Sequence, residues 1–315
     1  MIEFSVEVNK KLYEISELIT KVSYKDILND GCSKLEFSYI NDDLIIENGS
    51  IVRFKFNDVS IFYGYVFKVS RNKGKEISVT AYDQLRYCKA KDTIVVKGET
   101  VTSLVKKMCN YFKLTTGTLT DTTYLLPTSV QDSKTWMDII YYGVSETLVN
   151  KGKKYCLRDE FGRISLRDLD ELKLDLVLGD ESFCYDFSYD KSIDDEFYNL
   201  IKIYVKGDSK TEKDNQVVIS KNDTSISKFG ALQYFEVAQE NTNVSQAKAK
   251  ADLMLSLYNR EVETLSLECL GDTSVRAGSS FYAQISDIGL NKRLIVKEVT
   301  HDFLPVHTMS LEVTI

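Results

Sequence analysis

The strongest constraint in this chain is a strand pattern that occurs twice. NGSIVRFKFND at residues 48–58 lies over AGSSFYAQISD at 277–287, an offset of 229. Gly49 matches Gly278, Ser50 matches Ser279 and Asp58 matches Asp287. Val52, Phe54 and Phe56 fall on Phe281, Ala283 and Ile285. Without a gap, YGYVFKV at 63–69 falls on RLIVKE at 293–298 within one residue, with Lys68 over Lys297. Past the next turn the offset grows by three, and Ile77, Val79 and Ala81 fall on Met309, Leu311 and Val313. Side-chain parity survives these shifts, and parity decides which face of a strand is buried. The common order of Gly-Ser entry, strand, loop, strand, turn and strand implies two related β-modules.

Between them the period changes. Residues 1 to about 90 alternate in IEFSVEV, KLEFSYI, IVRFKF, YGYVFKV and EISVTAY, as half-buried strands do. In GETVTSLVKKMCNYFKL, Val101, Leu104, Val105, Met108 and Phe112 instead fall at helical spacing, with Thr100 as N-cap. A second helix is predicted in SKTWMDIIYYGVSETLVNKG. Thr135 and Asp138 have capping-box spacing there, and Gly152 marks its stop. KYCLRDEFGRISLRDL reads as a hairpin turning near Gly162, so residues 95–175 form a small α/β unit. Strands return from about 183. One long helix, NVSQAKAKADLMLSLYNRE, carries Ala247, Ala251, Met254, Leu255 and Tyr258 on one side.

Composition removes several functions. The net charge is −7 and no basic stripe is visible, against sequence-specific binding of nucleic acid through its phosphates. Six scattered cysteines, Cys32, Cys88, Cys109, Cys156, Cys184 and Cys269, form no CxxC pair. They read as reduced thiols of a protein folded in the cytoplasm. No apolar run reaches the length of a membrane-spanning helix, and MIEFSVEVNKK reads as a strand rather than a signal peptide. No GxGxxG, Walker A, HExxH or GxSxG motif is present. Asp194, Asp195 and Glu196 could be offered as paired carboxylates, but contiguous residues point in different directions. Trp136 sits on an apolar helix face and reads as core.

The only histidines, His301 and His307, flank Asp302 in VTHDFLPVHTM. The repeat places that segment opposite SRNKGKE, at a hairpin turn where the two rings face each other near the tip. A metal clip with Asp302 as third ligand competes with a neutral, hydrogen-bonded packing pair; the second is the expectation. No catalytic, cofactor-binding or metal residue is expected, and no cofactor.

Two resemblances bear on function. TIVVKGETVTSLVKKMCNYFKL, with its Gly98-Glu99-Thr100 turn, resembles the start of a LysM module, which would imply peptidoglycan binding. The expected second helix and closing strand do not follow, since TTGTLTDTTYLLPTSV looks extended. A longer series resembles the XkdQ/YqbQ family of tail hub proteins from contractile-tailed phages and phage-like elements. It comprises AYDQLRY at 81–87, the KGETVTSLVKKM helix, LLPTSVQDSKTWMDII at 125–140 and YCLRDEFGRISLRDL at 155–169. It continues with SYDKSIDDEFYNLIKIY at 188–204, FGALQYFEV at 229–237, ECLGDTSVRAGSSF at 268–281 and VTHDFLPVHTMSLEV at 299–313.

This resemblance implies an α+β, mainly β chain: two tube-like antiparallel β-barrel modules with an α/β insert between them. The parts would be a first tube-like module at 1–92, an insert domain at 93–180, and a second tube-like module with one long helix at 181–315. It implies a homotrimer adapting a sixfold tail tube to a threefold spike and forming part of the central channel, in a virion tail or tailocin baseplate. The implied partners are tail tube protein, spike and baseplate proteins, and a tape measure protein. The family is sometimes labelled hydrolase, and no residues here support that. The rival expectation is a cell-wall-binding or cell-wall-degrading tail protein.

Overall fold

The computed structural model describes every residue except 41–43, 195, 208–214, 239–241 and 315. The chain is mainly β, with few helices. It divides into two compact units, one of Met1–Ser188 with Ser266–Thr314, the other of Tyr189–Leu265.

The first part of the larger unit has seven strands: β1 (Ile2–Val8), β2 (Lys11–Glu14), β3 (Ile19–Ile27), β4 (Lys34–Ile40), β5 (Ile51–Phe56), β6 (Val59–Arg71) and β7 (Glu76–Tyr82). Their inward residues meet in one core. Phe4 packs on Phe37 and Phe54, with ring centroids 4.5 and 5.5 Å apart, and Phe303 from the far end of the sequence joins Phe54 at 4.8 Å. Each such ring contributes roughly 2–3 kcal/mol by leaving water.

Next come β8 (Lys91–Val96), α1 (Val101–Phe112), β9 (Thr116–Leu119), β10 (Ser129–Thr135), α2 (Trp136–Lys151), β11 (Tyr155–Asp159) and β12 (Ile164–Asp168). Both predicted caps form. Thr100 accepts from the Ser103 amide and Thr135 from the Asp138 amide, each reciprocated, and Gly152 closes α2 at φ 67°. Trp136 is buried in a second core with Leu104, Met108, Ile140 and Leu166. Against expectation a closing strand does form, since β10 pairs antiparallel with β8, but among the described residues one helix and not two lies between them; α2 follows β10. That order departs from the LysM start.

β13 (Lys173–Gly179) and β14 (Cys184–Ser192) follow. The smaller unit then holds β15 (Leu200–Val205), β16 (Gln216–Lys221), α3 (Asp223–Phe229), β17 (Gln233–Val237) and α4 (Val244–Tyr258). β15 pairs antiparallel with β16 and parallel with β17. Ala247 and Ala251 are fully buried with Ile201, Ile203 and Val218, so the small face of α4 lies close on its sheet. The chain finishes with β18 (Val262–Leu270), β19 (Ser280–Ile285), β20 (Leu290–Asp302) and β21 (Thr308–Thr314).

The repeat is present hydrogen bond by hydrogen bond. The Gly49 amide donates to Val66 O at 2.8 Å, and the Gly278 amide to Val296 O at 2.9 Å. The Val66 amide donates to Ser50 O and the Val296 amide to Ser279 O, both at 2.9 Å. Gly49 and Gly278 have φ of 88° and 85°, a region that only glycine enters freely. A bulge interrupts the β6–β7 pairing between Val66 and Lys68, and the β20–β21 pairing between Val296 and Glu298. That correspondence sets the offset at 230 in the long strand, so Lys68 lies over Glu298 and not Lys297. The cause is local. The turn after β19 is longer than the Asn57-Asp58 turn after β5, and a bulge near Ile61 absorbs part of the difference.

The repeat also extends beyond what pattern alone suggests. Leu265, Leu267 and Cys269 of β18 are buried as Leu35, Phe37 and Tyr39 of β4 are. FSYDK at 187–191 of β14 answers VSYKD at 22–26 of β3. Ser33 Oγ donates to Asp26 at 2.8 Å, and in the matching place Lys191 meets Glu263 at 2.9 Å. Strand order is therefore β3-β4-β7-β6-β5 in one module and β14-β18-β21-β20-β19 in the other. β20 joins the modules by pairing with β3. The ladder runs open from β14 to β2, and among the described residues no hydrogen-bonded ring closes within either module.

Candidate functional site at the joint between the modules

The joint is a ladder with a buried polar network beside it. Glu298 to Asp302 of β20 pair antiparallel with Ile27 to Ser23 of β3. On β3, strand parity sends Tyr24 and Asp26 inward. Asp26 is 3% exposed and would be costly there unpaired. Arg276, in the loop entering β19, donates from Nε to Asp26 Oδ2 at 2.9 Å and from Nη1 to Asp159 O at 3.0 Å. One guanidinium thus ties β3 and β11 to the second module. Burial pushes the Asp26 carboxyl up, but the charge and hydrogen bond of Arg276, with the Ser33 hydroxyl, more than reverse that and hold it below its ordinary value.

Two further buried acids sit next to this network. Asp83 accepts from the Ser33 amide at 2.8 Å and from the Leu85 amide at 2.9 Å, capping the short helical turn at Gln84–Lys89. Asp159 accepts from Gln84 Nε2 at 3.1 Å. Burial, then the neighbouring Asp159 charge, raise Asp83 well above the usual carboxylate range; burial raises Asp159 as well. Both are satisfied by neighbouring amide donors, the pattern of acids that fix a loop rather than move protons.

His301 lies on β20 opposite Tyr24, with ring centroids 6.3 Å apart. Its Nε2 donates to Val275 O at 2.9 Å, which leaves Nδ1 to accept from His307 Nε2 at 3.0 Å. The rings form the expected hydrogen-bonded pair across the β20–β21 turn. Burial drives His301 down to about 4 and lowers His307 too. Asp302 is exposed. Among the described residues no group of three or more His, Cys, Asp and Glu is placed to hold a metal. His307 is further clamped by Phe303, stacked at 4.5 Å, and by Phe56 at 5.0 Å. A methyl on Gly271 would lie 2.2 Å from the His307 ring. Gly271→Ala is expected to lower stability by about 1–3 kcal/mol through overpacking. An unchanged melting temperature would show that the ring has room to swing aside.

Of the three contiguous carboxylates, Asp194 and Glu196 are exposed, and Asp195 lies outside the described residues. All six cysteines are free thiols. Burial raises Cys32, Cys88, Cys109 and Cys156. Cys184 is the exception: a hydrogen bond from the Cys269 thiol draws it down to about 7, and the same bond raises Cys269. No helix among the described residues is long and apolar enough to cross a membrane. The site is thus an assembly of joints and clamps. Sequence reading found the histidine pair but not Arg276, Asp26, Asp83 or Asp159, which are single polar residues with partners far away in the chain.

Relatives agree with this architecture. Residues 22–314 match the model of a family described as YQBQ-like. The chain is 27% identical over 273 residues to the uncharacterized protein YqbQ of Bacillus subtilis (strain 168), covering 85% of this chain and 82% of that protein. It is 26% identical over 272 residues to the phage-like element PBSX protein XkdQ of the same strain, with the same coverage. Among solved structures, the tail protein from Neisseria meningitidis MC58 superposes with a TM-score of 0.73 at 13% identity, covering 100% of this chain and 96% of that one. The E. coli c3393 protein is described as a type VI secretion component similar to the T4 bacteriophage tail proteins gp27 and gp5. It superposes with a TM-score of 0.53 at 10% identity, covering 94% and 73%. At such identities the structural likeness is one of fold. By its sequence, the chain belongs to the YQBQ-like family.

Proposed function

We propose that the chain is a structural tail or baseplate protein without enzymatic activity, a hub in which three copies adapt a sixfold tail tube to a threefold spike. The observation that carries the reading is the duplicated five-strand module. Two equivalent modules per chain and three chains present six similar faces on one side, while the chains themselves keep threefold symmetry. The tail-protein names of the fold's neighbours support a place in a phage tail or tailocin baseplate. Residues 1–92 and 181–315 would be the tube-like β-modules and residues 93–180 the outward-facing insert. Tail tube protein, spike and baseplate proteins and a tape measure protein would be its neighbours. A net charge of −7 suits a channel along which DNA passes without adhering.

Native mass spectrometry of the full chain, alone and mixed with tail tube and spike proteins from the same source, tests this. A threefold complex is expected in at least the mixed sample. A chain that stays monomeric in both overturns the hub. A peptidoglycan pull-down and a zymogram on the same preparation should be negative; a positive result would favour the cell-wall reading.

A further inference from the structure

The joint inside one chain has a counterpart that stays uncovered. β20 pairs with β19 and β21, and its open edge beyond β19 is taken by β3. The repeat carries β20 onto β6 and β3 onto β14. Among the described residues, Lys68 to Arg71 of β6 pair with β7 alone, and β14 pairs only with β18. Among the described residues no strand covers either remaining edge. Exposure follows: Val299, Thr300 and His301 at the covered edge are buried, half-buried and buried, whereas Val69, Ser70 and Arg71 in the same places are half-buried, exposed and exposed.

The charges on these edges decide what could cover them. Two ion pairs hold the internal joint, Lys25 with Glu298 at 2.5 Å and Arg276 with Asp26 at 2.9 Å. Through the repeat the first becomes Asp190 with Lys68. The second becomes Lys191 with Glu47, since Glu47 precedes Gly49 as Arg276 precedes Gly278. Every sign is reversed, yet each pair remains complementary. Tyr24 stacked on His301 becomes Tyr189 with Arg71, a cation against a ring. The reversal also discriminates. Lys68 would meet Lys25 if β6 approached a β3 edge, and Asp190 would meet Glu298 if β14 approached a β20 edge. Lys191 already holds Glu261 and Glu263 of its own chain, so Glu47 would extend an existing acidic contact set around one ammonium.

We propose that β6 of one copy pairs antiparallel with β14 of a second copy, in the register of the internal β20–β3 joint. Ser70 then lies opposite Asp190, Arg71 opposite Tyr189, and Lys68 forms an ion pair with Asp190. An edge strand left open in this way is a ready template for another chain, and here the template and its complement lie on the same molecule. The inference rests on the hub reading for the number of copies alone.

Two measurements on the full chain separate the two ideas. Opposed strand residues lie within disulfide range, so a chain carrying both Ser70→Cys and Asp190→Cys is oxidised with each single variant as control. Covalent ladders of the double variant that close into a trimer are the expected result. A ladder closing at another number keeps the strand pairing and removes the threefold hub. Native trimers that form without this crosslink keep the hub and overturn the pairing, and monomers without crosslinks overturn both. Charge reversal gives the second arm. Lys68→Asp should weaken self-association at least about tenfold, and adding Asp190→Lys should restore it while the circular dichroism melt stays unchanged. Equal association of both variants and the parent overturns the pairing.

Discussion

Acidification from neutral pH to about 4 is expected to remove about 3 kcal/mol of stability through His301 alone. The ring is 2% exposed and both nitrogens are engaged, one donating to Val275 O and one accepting from His307. A protonated ring would break the bond from His307 and stand beside Arg276, so burial holds its pKa down to about 4. The unfolded chain takes up this proton near 6.5. Between those values the unfolded state binds more protons, and stability therefore falls as pH falls. His307, also lowered by burial, has the same sign. Asp26 shares that sign at lower pH: its contribution is present above the unfolded carboxylate value and is lost as pH falls through its depressed folded value. Asp83 and Asp159 oppose it, because their raised values let the folded state keep protons that the unfolded chain releases. Urea unfolding from pH 7.5 to 4, compared between the parent and His301→Gln, isolates the histidine. Gln can still donate to the Val275 carbonyl and does not titrate. Parallel profiles for the two proteins would refute the assignment.

The modules were legible because strands advertise themselves locally. A period of two, a Gly-Ser entry and a common spacing are all contained in stretches such as NGSIVRFKFND. Their limit was also physical. The β3–β14 correspondence is written in VSYKD and FSYDK, but residues 193–261 lie between β14 and β18, where the first module has only a short turn between β3 and β4. An insertion of that size breaks any constant offset. The histidine pair was legible because a hairpin brings residues six apart together. The Arg276–Asp26 pair spans 250 positions, and neither residue differs on paper from an ordinary surface charge. The short helix α3 was missed because DTSISKF has no buried face; all seven of its residues lie outside the core. Its Asn222 cap and Gly230 stop were the signals available.

Replacing Arg276 by Met is expected to cost about 3–5 kcal/mol, the usual penalty for removing one partner of a buried pair. Met keeps the apolar stem and removes the guanidinium, so packing changes little. Asp26 would be left with the Ser33 hydroxyl and the Ala277 amide as donors and with the weaker influence of the Arg158 charge. Its carboxyl would then rise, since the largest offset to burial would be gone. The pH dependence should change accordingly: the contribution from Asp26 that the parent loses as pH falls through the acid range should disappear. The loss should also be coupled. Asp26→Asn with Arg276→Met removes both charges and should recover a substantial part of the stability, because no uncompensated ion remains. Chemical denaturation of the four proteins gives the cycle. A cost below about 1 kcal/mol for Arg276→Met, or strict additivity in the double variant, would mean that water already screens Asp26 and that the ladder alone holds the modules together.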